Sequence, residues 1–163
     1  MKLKTLTSIA ILTCLALVIF VVESHLPPLV IPGLKPGLSN VVTLVAISYL
    51  GRKEAFTILT LRILLASLLT GTFISFMFSL VGGYLAFLTM ALLLNIFKEN
   101  QLWVVSVFGA IVHNFGQLLV ACVLVENVSV FYYAPILIIT AIITGSFTGI
   151  AAQKSLDIIK KTK

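Results

Sequence analysis

Arg62 stands inside an otherwise apolar stretch, and His113, Asn114 and Gln117 cluster within another. These are the side chains whose types and spacing permit chemistry. A charge in hydrocarbon costs roughly 3 kcal/mol or more unless it faces a protein interior. Such a guanidinium either binds a phosphate, carboxylate or other electron-rich substrate group, or braces helices by bonding backbone carbonyls and polar side chains. Ala55, Ala66 and Thr70 share its helical face, so that face is small and packs closely. At about 100° per residue, Ser106, Ala110, His113, Gln117 and Ala121 fall in one sector of about 80°, with Asn114 at its edge. Unsatisfied polar atoms in lipid cost several kcal/mol each, so these groups need partners. They form a hydrogen-bonded seam, line a pocket, or do both. His113 has the right type to gate a proton, but no carboxylate stands near it in the sequence. No second His, Cys or carboxylate sits at zinc-ligand spacing, so no metal is expected.

The elements that position these groups follow from composition. The 163 residues include eleven basic and five acidic side chains, with 60% hydrophobic residues. An ordinary soluble domain is about a quarter charged and under half apolar. The chain must therefore use lipid as its solvent. A span takes roughly 20 residues, which predicts helices at about 6–22, 38–50, 54–71, 72–97, 102–125 and 130–152. The fold class expected is all-α: a polytopic membrane protein of six transmembrane helices. The first is read as an uncleaved helix, because no A-x-A site follows it before Glu23. Between the first two lies 26–37, with Pro27, Pro28, Pro32 and Pro36 and two glycines, apolar apart from Lys35. Proline excludes regular helix there, and irregular backbone at membrane depth needs protein or a water-filled cavity over it. This segment is expected to form a lid.

Charge placement orients the bundle. With the N-terminus in the cytoplasm, Lys2, Lys4, Arg52, Lys53, Lys98, Lys154, Lys160, Lys161 and Lys163 all fall inside, and Lys35 alone falls outside. Both termini are expected to be cytoplasmic. The net charge of +6 is then a topology signal, and no nucleic-acid partner is implied. On the sixth span, Thr140, Thr144 and Thr148 run beside Ala141, Gly145 and Gly149 at spacing four, a pattern for close helix contact. Ala10 and Cys14 repeat that spacing more weakly on the first. Cys14 and Cys122, both within apolar spans, are expected to be buried thiols without a disulfide.

Enzymatic chemistry finds little support. No G-x-x-x-x-G-K-[ST] occurs. Glu23, Glu54, Glu99, Glu126 and Asp157 are scattered, whereas magnesium-dependent diphosphate chemistry needs clustered carboxylates. No catalytic residue and no cofactor is expected.

The blocks Pro32-Gly33-Leu34-Lys35-Pro36-Gly37-Leu38-Ser39-Asn40, Lys53-Glu54-Ala55, Leu61-Arg62-Ile63-Leu64-Leu65, Gly71-Thr72, Ser79-Leu80-Val81-Gly82-Gly83 and Gly109-Ala110 to His113-Asn114-Phe115-Gly116-Gln117 resemble the Gx transporter family. Its members are often labelled heptaprenyl diphosphate synthase component I. The resemblance implies a bundle like the S components of energy-coupling-factor importers, in a bacterial plasma membrane. Those bind a vitamin-like molecule under the loop after the first helix. They pass it on through a transmembrane coupling subunit and two ATPases, with small residues of the first helix as the contact, which gives Ala10 and Cys14 that role. On this reading Lys35, Asn40, Arg62, His113, Asn114 and Gln117 line or brace the substrate site. The rival reading is a membrane component of polyprenyl diphosphate or quinone synthesis, or of a flavin- or quinone-linked electron-transfer system, with an isoprenoid-like ligand.

Overall fold

The computed structural model describes residues 3–25, 37–70 and 72–161. Among them it is all-helical: α1 (Leu3–Ser24), α2 (Asn40–Tyr49), α3 (Arg52–Thr70), α4 (Phe73–Leu93), α5 (Leu102–Val125) and α6 (Ala134–Lys161). Short 3-10 turns, Glu99–Gln101 and Val128–Tyr133, lead into α5 and α6. The expected lid, 26–37 with Lys35, lies outside the described residues except for its last residue, Gly37.

Among the described residues, four segments are long and apolar enough to cross a bilayer: α1, α4, α5 and the continuous helical stretch 128–161. The other two differ for separate reasons. α2 is a ten-residue apolar helix, about 15 Å long by helix rise. α3 has the length, but Arg52, Lys53, Glu54 and Arg62 dilute its apolar character. Helix ends also move relative to expectation. Pro135 has no N–H to give, so it sits in the first turn of α6, which starts at Ala134. That helix then runs on through 152 into the basic tail, where Lys160 and Lys161 meet the negative end of its dipole.

Two residues with positive φ make the sharp connections. Gly51 (φ 107°) joins α2 directly to α3, its N–H donating to Ala46 O at 3.2 Å. Glu126 (φ 53°) ends α5 in the left-handed conformation. Asn127 then accepts a 2.8 Å bond from Ser129 N and starts the next turn.

α5 is the central element, packed most extensively against α6 and α4; α1 packs on α3, and α2 on α3 and α6. The core is built from Leu44, Ala46, Ala55, Ile58, Leu59, Ala86, Met90, Leu102 and Ala152. The outward surface carries Ile11, Leu68, Val123 and Phe147, all exposed, which suits lipid rather than water. On α1 the buried residues are Ile9, Thr13, Ala16, Phe20 and Glu23, a stripe of alternating spacing four and three. Ala10 and Cys14 therefore point away from the bundle. Both thiols are free, but the burial expected of them is corrected: Cys14 is exposed, because the inward stripe runs along the other side of α1, and Cys122 is only half-buried.

The small residues of α6 serve close contact. A Cβ on Gly145 would lie 2.6 Å from Val107 Cα, and one on Gly149 would lie 2.4 Å from Trp103 Cα. Beside them Ser106 Oγ and Thr148 Oγ1 are 2.8 Å apart. Thr148 spends its proton on the carbonyls of Thr144 and Gly145 (2.9 and 3.1 Å), so Ser106 is the donor. Ser106→Ala should therefore lower stability by only about 0.6 kcal/mol, since Thr148 keeps its helix acceptors. Thermal unfolding in detergent measures this, and a loss several times larger would mean that the hydroxyl pair holds the α5–α6 contact by itself.

Candidate functional site

The inner ends and middles of five elements meet in a buried polar core. Glu23, in the last turn of α1, is 3% exposed. Its Oε1 accepts from the backbone N–H of Gly37 and from that of Leu38 at 3.0 Å. This bond ties the end of the 26–37 segment to the end of α1. A buried carboxylate needs compensating charge, and the guanidinium of Arg62 supplies it electrostatically.

Arg62 lies in the middle of α3, on the face that also buries Ala55, Ile58, Leu59 and Ala66. Its Nη1 donates to Ser39 Oγ. Ser39 occupies the N-cap position of α2, yet its hydroxyl makes no capping bond because it is turned to Arg62. Nη2 lies beside Gly83, where a Cβ would approach it to 3.3 Å. Neither Nε nor Nη2 has a hydrogen-bond partner among the described residues, and the same is true of Asn40 Nδ2. Leaving buried donors unmatched costs about 1–3 kcal/mol each, more for charged groups.

His113 of α5 sits between two glycines. A Cβ on Gly37 (φ 77°) would fall 3.0 Å from its Cδ2, and a Cβ on Gly82 of α4 would fall 3.0 Å from its Nδ1 and Cε1. A side chain at either position would crowd the ring. Gln117 Nε2 lies 2.9 Å from His113 Nε2. An amide nitrogen only donates, so Nε2 accepts and the ring proton sits on Nδ1, facing the Gly82 backbone. The positive charge of Arg62 also acts on this ring. The His113–Gln117 pair thus forms a neutral wall opposite a charged one.

Of the residues singled out from the sequence, the structure brings Asn40, Arg62, His113 and Gln117 into this core. Asn114 is turned the other way: its Nδ2 donates to Leu137 O of α6 at 3.0 Å. Lys35 lies outside the described residues. Ala10 and Cys14 face out of the bundle, remote from the core. Sequence reasoning missed Glu23, Ser39 and the two glycines of the slot. Glu23 was findable, because it continues the stripe of Ile9, Thr13, Ala16 and Phe20 that α1 buries. Ser39 had no such signal, since a serine before a helix reads as a cap.

The arrangement has a clear chemical bias. Its surplus is in donors, one of them a guanidinium, and these suit an acceptor-rich group such as a carboxylate, phosphate or polarised carbonyl. Glu23 is already engaged by two backbone N–H groups, so it serves as an anchor and counter-charge.

Fold and site together define a helical, membrane-type protein with a buried, donor-rich polar core. Residues 12–155 match the family described as heptaprenyl diphosphate synthase component I, and the chain belongs to that family. The match includes every residue of the core. No curated protein and no solved structure matches the chain.

Proposed function

We propose that the chain is the substrate-binding, specificity subunit of a transporter for a small organic or vitamin-like molecule, reorienting with a separate ATPase module. The observation that carries this reading is the set of unmatched donors on Arg62 and Asn40, buried beside Gly37 and Ser39 at the entry to α2. A substrate acceptor group would satisfy them. In this reading all six helices span a bacterial plasma membrane with both termini in the cytoplasm, and 26–37 is the lid that brings Lys35 over the site. Glu23 latches the lid by its end, and opening requires release of the Gly37 and Leu38 N–H groups. The outward face of α1 at Ala10 and Cys14 receives the coupling subunit.

Purification in native lipid followed by mass spectrometry of bound small molecules tests this. The wild-type protein should retain a ligand with a carboxylate, phosphate or carbonyl, and should co-purify with an ATPase-linked membrane partner. Asn40→Ala should weaken that ligand about fivefold, the worth of one hydrogen bond, without loss of fold. An empty wild-type protein with no such partner removes the proposal.

The family description favours a second reading, a membrane component of polyprenyl diphosphate synthesis. It predicts that the purified chain changes prenyl diphosphate turnover by a soluble catalytic partner. Unchanged turnover rejects it.

A further inference from the structure

The outward side of α6 changes character near its end. Ile143, Phe147 and Ile150 are exposed, and the line they form along the helix continues as Lys154, Ile158 and Lys161, all exposed as well. The opposite side stays in the bundle through Ala152 and Leu156. A helix of 28 residues is about 42 Å long, against a hydrocarbon layer of about 30 Å. Its last turns therefore project beyond the acyl chains. Trp103 marks the level at which they emerge, since tryptophan is enriched at the membrane–water interface. It is half exposed, and a Cβ on Gly149 would lie 2.4 Å from its Cα. Lys154 follows Gly149 by about 7.5 Å of rise and Lys161 follows Lys154 by about 10 Å. The two ammonium groups thus flank the depth of the lipid phosphates.

An apolar strip that ends in two cations fits an occupant with a hydrocarbon tail and an anionic head. Asp157 stands within one turn of both lysines and offsets one of them, and Lys160 restores the surplus. A zwitterionic head brings its own cation and gains little there, whereas a head with one net negative charge gains from the whole surplus. An acidic soluble protein would meet the lysines but leave the apolar strip below them untouched. We infer that this end of α6 binds an anionic phospholipid, its acyl chain along Phe147 and Ile150 and its phosphate between Lys154 and Lys161. The inference rests on the membrane-type fold and is independent of the transporter reading. It also goes beyond orientation by charge, in which every basic residue at this end counts alike. Arg52 and Lys53 belong to the same end, because Ala55 shares a core with Leu102, Ala152 and Leu156, and both are exposed. Arg52 is engaged by Asn95.

Trp103 is the only tryptophan of the chain and stands beside this site, so its fluorescence reports occupancy. The full-length protein is reconstituted in phosphatidylcholine with rising fractions of either phosphatidylglycerol or phosphatidylcholine carrying brominated acyl chains. Quenching of Trp103 then gives the relative affinity of the two lipids. Phosphatidylglycerol should be preferred about fivefold at low salt, the worth of one lysine at an anionic headgroup, and less so at high salt. Lys154→Gln combined with Lys161→Gln should abolish the preference. Both side chains are exposed, so the fold should survive. Asp157→Asn should increase the preference by removing the competing carboxylate. Lys53→Gln removes a charge from the same end but from α3, and should leave the preference unchanged. No preference in the wild-type protein, no quenching by either lipid, an unaltered preference in the double variant, or an equal loss from Lys53→Gln would each overturn the inference.

Discussion

Replacing Arg62 with methionine is expected to destabilise the protein by about 3–5 kcal/mol. The cost does not come from the lost bond to Ser39. It comes from Glu23, which remains buried and bonded to Gly37 and Leu38 but loses the attraction of the Arg62 guanidinium. Exchanging a buried pair for uncharged groups of similar volume is often neutral, whereas removing one partner is not. Combining Arg62→Met with Glu23→Gln should therefore recover most of the loss. The measurement is the unfolding midpoint of the three variants in detergent. A double variant as unstable as Arg62→Met alone would show that the attraction between the two charges is not what stabilises the core. The same double variant separates bracing from binding. If it folds yet retains no ligand, Arg62 and Glu23 together do more than hold helices together.

Gly149→Val carries the second large effect. The Cβ alone would sit 2.4 Å from Trp103 Cα, a backbone atom that no side-chain rotation can move. The helices must separate, and with them Gly145 from Val107 and Ser106 from Thr148. Overpacking typically costs 1–3 kcal/mol, and about 3 kcal/mol is expected because both the clash and the disrupted seam contribute. Ile143→Ala, on the exposed side of the same helix, should change stability by no more than about 0.5 kcal/mol. Comparable losses for the two variants would mean that α6 is stabilised by its outer face, contrary to the packing described above.

Much of the helical layout was legible because hydrophobic periodicity is a local property. The limits of α5 come out at 102–125 as expected, since the polar residues after 97 and at 126–127 interrupt an otherwise apolar run. The inward face of α5 was equally legible: Ser106, Ala110, His113, Gln117 and Ala121 are all buried, as helix geometry requires once their side of the helix meets the bundle. Neighbours were not legible. Asn114 and His113 are adjacent in sequence, yet one bonds α6 and the other lies between Gly37 and Gly82. A rotation of about 100° per residue sends them to different partners, and which helix waits in each direction depends on the packing of the whole bundle.

The amino-acid sequence by itself determined that this protein lives in lipid, where its helices run, and which side chains are too costly to leave facing hydrocarbon. Composition and spacing suffice for that, because transfer free energy is summed residue by residue. Only the tertiary structure decided that Glu23 is the counter-charge of Arg62, that Ser39 serves the core instead of its own helix, and that Cys14 faces outward. Those outcomes depend on contacts between residues far apart in the chain. They form because a buried charge or donor must be matched by whatever group the fold brings within about 3 Å.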